Sequence, residues 1–146
     1  MTEQILSSGA VRIADAAVGR DEAIRAAGAI LVEVGAVDAA YVDAMLEREG
    51  SVSTYMGNFL AIPHGTNEAK DTILRSSLSF TRYDEPIDWN GDEVRFVVGI
   101  AGIDNEHLEI LSKIAIIFSD EDEVEKLLAL DSAAELYAAL SEVNES

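Results

Sequence analysis

Among the side chains of this sequence that can do covalent chemistry, His64 has the most telling setting. It lies in Met56-Gly57-Asn58-Phe59-Leu60-Ala61-Ile62-Pro63-His64-Gly65-Thr66, where a short apolar run delivers an imidazole into a turn. Pro63 fixes its own φ and pushes Ile62 toward extended geometry, while Gly65 permits a turn that a β-carbon would obstruct. The imidazole is therefore expected beyond a strand end, at the surface. A histidine there can be a nucleophile, a general base or a metal ligand, because its neutral form is abundant near neutral pH and offers a nitrogen lone pair. Pro-His-Gly alone fits a turn histidine without function equally well, since three-residue motifs recur by chance.

Two further residues can serve such a histidine. Arg48 falls near the end of a helical pattern just ahead of the His64 strand; taken alone, it is also explained as a C-terminal cation favoured by the helix macrodipole. His107 falls in the first turn of a later helix, where the partial positive charge disfavours protonation and leaves a neutral ring able to donate one hydrogen bond. It too can be read as an ordinary surface histidine. Ser51, Ser53 and Thr54 are read as turn formers rather than phosphate ligands.

Elimination narrows the chemistry. The chain has no cysteine, so disulfides, thiolate metal sites and cysteine nucleophiles are excluded. Its two histidines are too far apart for the usual zinc spacing, although two histidines and a carboxylate remain arithmetically possible. No Gly-x-Ser-x-Gly elbow and no Walker loop occurs. What remains is His64 as a nucleophile toward phosphorus, with Arg48 and a neutral His107 as stabilisers of the phosphoryl oxygens. Such a transfer needs little beyond positioning and charge neutralisation. Neither a cofactor nor a metal is expected.

Ten basic against twenty-eight acidic residues give a formal charge of −18, which repels phosphate backbones and anionic lipid. Nucleic-acid binding and membrane insertion are therefore not expected, and a basic protein surface is the favoured partner. The same surplus of carboxylates also fits general solubility in high salt. No apolar run reaches membrane-spanning length, and Met1-Thr2-Glu3-Gln4-Ile5-Leu6 lacks a basic start before an apolar core, so a cytoplasmic location is expected.

The 146 residues suit one domain, 1–146, with 143–146 as a frayed tail. Asp21 is expected to cap a helix burying Ile24, Ala27, Leu31 and Val34 and stopping at Gly35. Asp38 is expected to cap a second, with Tyr41, Val42, Met45 and Leu46 on one stripe and Arg48 near its end before Gly50. Residues 73–81 alternate as a half-buried strand that Asp84-Glu85-Pro86 should end. Asn90-Gly91 marks a turn, and 94–101 reads as a central strand covered on both faces, with Trp89 over an edge of the core. Asp104 or Asn105 should cap a helix with Leu108, Leu111, Ile114, Ala115 and Phe118 inward. Ser119 with Asp122 resembles a capping box before Val124, Leu127 and Leu128, and Asp131 should cap a last helix carrying Leu136, Tyr137 and Leu140.

Three separated stretches carry a resemblance: Ala44-Met45-Leu46-Glu47-Arg48-Glu49 with Ser53-Thr54-Tyr55-Met56-Gly57-Asn58, then Ala61-Ile62-Pro63-His64-Gly65-Thr66, and Asp104-Asn105-Glu106-His107-Leu108. In this order they resemble the mannitol-type enzyme IIA of the bacterial phosphotransferase system, within the mannitol/fructose IIA superfamily, over residues 19–140. The resemblance implies an α/β fold, a mixed five-stranded β-sheet sandwiched between helices; periodicity alone yields fewer strands. It further implies that His64 takes a phosphoryl group, through Nε2, from the histidine-containing phosphocarrier protein and passes it to a cysteine of a separate IIB domain, for uptake of a sugar such as mannitol. Arg48 and His107 would flank His64. The lack of cysteine fits a chain that carries only the IIA step. A regulatory module of the nitrogen-related type, whose phosphorylation state controls a partner protein, shares the fold and is the alternative.

Overall fold

The computed structural model describes residues 6, 8–14, 18–51, 53–66, 71–103 and 106–140; the side chains of Ser8, Ser51, Glu106 and His107 also lie outside what is described. Five strands, β1 (Val11–Ala14), β2 (Tyr55–Gly57), β3 (Leu60–Ala61), β4 (Ser77–Trp89) and β5 (Asp92–Ala101), form one sheet in the order β1-β4-β5-β3-β2. Helices α1 (Arg20–Glu33) and α2 (Ala40–Ser51) precede β2, and α3 (Glu106–Phe118), α4 (Glu121–Ala129) and α5 (Ala133–Leu140) follow β5. The sheet is mixed. β1 runs parallel to β4 and β3 parallel to β5, whereas the β4–β5 and β2–β3 pairs are antiparallel.

β5 is the central strand, as its near-continuous apolar run predicts. Phe96, Val98 and Ile100 enter one core with Ile110, Ile114 and Phe118 of α3 and Leu136 and Leu140 of α5. Val97 and Ala101 enter a second core with Ala23, Ile24, Ala27 and Leu31 of α1 and Tyr41 and Met45 of α2. Alternation along one strand thus feeds a core on each face, giving the expected sheet between helices. On the α1 side the packing is close: a Cβ on Gly99 would lie 2.5 Å from Ser79 Oγ and 3.1 Å from Ala27 Cβ.

Several local expectations are corrected. β4 begins at Ser77 rather than Ile73 and continues through Asp84-Glu85-Pro86 to Trp89. Pairing with β5 shifts between Arg82 and Ile87, and Pro86 sits inside that irregularity, where its missing N–H breaks no ladder bond. Gly19, not Asp21, occupies the N-cap of α1, and Asp21 lies in the first turn. The Asp120 carboxylate, not Ser119, caps α4 by accepting from Asp122 N–H at 3.0 Å. Before α5, Ser132 takes the role assigned to Asp131: its Oγ accepts from Glu135 N–H and donates to the Glu135 carboxylate. Leu108 is 64% exposed, and Ile110 takes its place in the buried stripe of α3. Trp89 is fully buried rather than draped over an edge. Asp104, Asn105 and the tail 143–146 lie outside the described residues.

The turns at Gly35 and Asn90-Gly91 match expectation, with φ of 77° at Gly35 and of 58° and 95° at the pair. β1 and β2 are the strands that periodicity does not reveal. β2 and β3 form a hairpin whose loop residues Asn58 and Phe59 have φ of 50° and 68°. Two left-handed residues are what a two-residue hairpin turn requires, although a bulky aromatic rarely takes the second place. The Asn58 amide donates to the Phe118 carbonyl at 2.6 Å, tying this hairpin to the end of α3.

Candidate functional site

β3 is only two residues long, but the chain continues beside β5 after it ends. Ile100 N–H donates to the Pro63 carbonyl at 3.0 Å, and His64 pairs in parallel with Ile100 as an isolated bridge. His64 thus leaves the sheet beside the C-terminal end of the central strand, where open α/β sheets present their ligand sites. Its ring is half-buried, deeper than a surface turn would place it.

His64 Nδ1 lies 2.8 Å from the Ile62 carbonyl oxygen. A carbonyl can only accept, so the neutral ring carries its proton on Nδ1 and its lone pair on Nε2. Burial pushes the His64 pKa below its ordinary value, with the Arg48 charge acting in the same direction; the Ile62 carbonyl and Glu49 oppose them. The nucleophilic neutral form therefore dominates near neutral pH.

The residue after the histidine is held by α2. Tyr41, 2% exposed, donates its hydroxyl to the Ile100 carbonyl at 2.8 Å and accepts from Gly65 N–H at 2.9 Å. Burial raises the Tyr41 pKa, and the Gly65 N–H only partly offsets this, so the phenol keeps the proton it donates. A Cβ at Gly65 would stand 2.5 Å from the Tyr41 ring. Glycine is needed here because the tyrosine ring occupies the space a side chain would take.

Arg48 lies in the last turn of α2, half-buried and near enough to act on the charge of His64. Beside it in sequence is Glu49, 3% exposed, whose carboxylate accepts three hydrogen bonds. Thr54 Oγ1–H donates to Oε1 at 2.5 Å, and Thr54 N–H and Trp89 Nε1–H each donate to Oε2 at 2.9 Å. The backbone of His107 is in the first turn of α3, the helix that follows β5, while its side chain lies outside the described residues. The structure thus brings Arg48 to His64 and leaves the His107 contact open. Among the described residues no group of His, Asp and Glu side chains gathers in a way that could hold a metal ion.

Sequence reasoning passed over Glu49, Thr54, Trp89 and Tyr41. Tyr41 was hidden as one more apolar member of a helical stripe, and Thr54 among turn formers. Glu49 did leave a signal, because an acid in the last turn of a helix faces the negative end of the macrodipole and needs local compensation.

Comparison with known proteins identifies the family and the fold. The family described as "Phosphoenolpyruvate-dependent sugar phosphotransferase system, EIIA 2" matches residues 4–143. The mannitol-specific phosphotransferase enzyme IIA component of Halalkalibacterium halodurans is 55% identical over 145 residues, covering 99% of this chain and 100% of that protein. The crystal structure of IIA mannitol from Escherichia coli superposes with a TM-score of 0.81 at 36% identity, covering 90% of this chain and 96% of that one. IIA in the complex of enzyme IIAMTL and phosphorylated enzyme IIBMTL from Escherichia coli gives 0.83 at 37% identity, covering 93% and 98%.

Proposed function

The chain belongs to the EIIA 2 family of the phosphoenolpyruvate-dependent sugar phosphotransferase system, and on that premise we propose that His64 is its phosphoryl acceptor, with Arg48 and His107 as stabilisers. It is a phosphotransferase component that carries its cargo as phosphohistidine. The observation that supports His64 is the Nδ1–H bond to Ile62, which directs the lone pair of a neutral imidazole to Nε2.

In the first transfer Nε2 attacks phosphorus of the phosphohistidine on the histidine-containing phosphocarrier protein. The new N–P bond forms as the old one breaks, and its electron pair returns to the donor imidazole. In the second, a cysteine thiolate of the IIB domain attacks the same phosphorus and the electron pair returns to His64 Nε2. Arg48 offers planar, paired donors to the phosphoryl oxygens, and His107, neutral at its helix start, offers one more. Bound to Nε2, the phosphoryl group leaves the Nδ1–H bond intact, so the ring keeps its orientation through both steps.

Mannitol is the proposed sugar, on the strength of the mannitol-specific relative at 55% identity and of the likeness to the IIA partner in the complex with phosphorylated IIBMTL. These favour transport over the regulatory alternative. A cytoplasmic location belongs to the same proposal; among the described residues no helix is long and apolar enough to cross a membrane. The deciding experiment incubates wild type, His64→Ala and His107→Ala with phosphorylated carrier protein, then adds a mannitol-type IIB domain. Acid-labile, base-stable label on wild type and His107→Ala, absent from His64→Ala and passed on to the IIB cysteine, is expected. Label that persists in His64→Ala overturns the acceptor, and label refused by the IIB domain overturns the transport role.

A further inference from the structure

We infer that Glu49 is a positioning residue for phosphoryl transfer at His64, acting through Thr54 and Ile62. This inference rests on His64 being the acceptor. A carboxylate in the last turn of α2 is disfavoured both by the macrodipole and by its burial, and three donors drawn from beyond the helix compensate it. Two come from Thr54, at the entrance to β2, and one from Trp89, at the end of β4.

A carboxylate that only stabilised the fold would need no route to the acceptor. Glu49 has one. Its two bonds to Thr54 hold the residue whose carbonyl accepts Ile62 N–H at 3.1 Å. The Ile62 carbonyl in turn accepts His64 Nδ1–H at 2.8 Å. The chain of bonds therefore runs, residue by residue, from a buried anion to the carbonyl that selects the histidine tautomer, and it acts by fixing where Thr54 and Ile62 stand. If Thr54 shifts, the Ile62 carbonyl turns away, Nδ1 loses its acceptor, and part of the population places the proton on Nε2, where the attacking lone pair is needed. The anchor also fixes the helical turn that carries Arg48. Glu49 also opposes the effect of the Arg48 charge on His64.

The test compares Glu49→Gln with wild type, using ring nitrogen NMR for the tautomer and pKa of His64, and rapid-quench transfer from phosphorylated carrier protein at rising donor concentration. Glutamine keeps the volume but removes the anion: its oxygen can still accept from Thr54 N–H and Trp89 Nε1–H, while its amide N–H2 meets Thr54 Oγ1 only if that hydroxyl turns round to accept, so the charge-assisted bonds that hold Thr54 are weakened. The expected result is a smaller Nδ1–H population, a His64 pKa moved further down, and saturated transfer slowed about tenfold, within what misplacement of a reacting group costs, with donor affinity unchanged. Thr54→Val keeps the carboxylate charge and removes only the hydroxyl donor, so it reports even if Glu49→Gln fails to fold. It should shift the same observables in the same direction by a smaller factor. Wild-type tautomer, pKa and saturated rate in the folded variants overturn the inference, as does slowed transfer with an unaltered His64 tautomer. Label absent from His64 in the wild type would instead overturn the acceptor assignment and this inference with it.

Discussion

The two faces of the sheet are built to different rules. The face under α3, α4 and α5 is closed mainly by aromatic and aliphatic packing, with buried Arg82 donating to the Leu127 carbonyl of α4: Phe96 meets Phe118 edge-on with ring centroids 5.1 Å apart, and Phe80 lies 5.6 Å from Phe96. The face under α1 and α2 packs small residues closely, with a Cβ on Gly28 set to lie 2.8 Å from Val42, and it buries polar groups. Tyr41, Glu49, Thr54 and Trp89 all belong to that side or to its rim at the His64 turn. Apolar packing tolerates small shifts of its members, whereas a buried hydrogen-bond network holds its partners at defined distances and directions. The first face contributes mainly to stability, and the second orients the imidazole proposed as the phosphoryl acceptor.

The largest effect should come from His64→Ala, which is expected to abolish phosphoryl acceptance while leaving the fold and partner binding intact. On the proposed mechanism the carrier and the IIB domain reach the same Nε2, so the variant should still bind each of them, competitively, as calorimetric titration can show. Simultaneous binding of both would break the shared site.

On the opposite face, Phe118→Ala should lower unfolding free energy by about 3–5 kcal/mol, the usual cost of emptying a buried aromatic site, in a denaturant titration. Transfer per folded molecule should stay at the wild-type rate. A slower rate at unchanged folded fraction would mean the two faces are not separable.

Arg48→Lys keeps the charge but loses paired guanidinium donors. Loss of one charge-assisted hydrogen bond of about 2 kcal/mol in the transition state slows transfer about thirtyfold in a quench-flow assay. Wild-type rates would reduce Arg48 to a helix-end cation.

Titration sharpens the same contrast. Burial, reinforced by Arg48, holds the His64 pKa below the ordinary 6.5. As pH falls the unfolded chain therefore takes up this proton first, so the stability linked to neutral His64 is complete above pH 6.5 and is lost as pH falls through the folded-state value. Phosphoryl acceptance should persist below that ordinary value, and Arg48→Gln should raise the pKa seen by NMR. A folded-state pKa above 6.5 would contradict the assigned surroundings of the ring.

The smallest effect on docking is expected from His107→Ala. Carrier affinity should remain nearly unchanged, while the lifetime or onward transfer of the phosphoryl group changes. Affinity lost with transfer intact would place His107 in the docking surface instead.

The sequence by itself determined what short-range chemistry can encode. Apolar periodicity marks α1, α2 and the existence of α3, the continuous run at 94–101 marks the central strand, and Pro63 with Gly65 marks the turn that carries His64. The resemblance supplied the five-strand count and the pairing of Arg48 and His107 with His64. Tertiary structure decided the rest, because those features depend on partners that the local apolar period does not encode. β1 is a four-residue strand defined by its ladder to β4, and β2 is a three-residue strand defined by its hairpin with β3. β4 survives Pro86 only because pairing is already broken there. Leu108 is outside and Ile110 inside because the sheet, not the period, decides which helical stripe faces it. Glu49 shows in the sequence only as an acid misplaced at a helix end; that it is buried, and that Thr54 and Trp89, 5 and 40 residues away, supply the donors that make this tolerable, is decided by the tertiary structure.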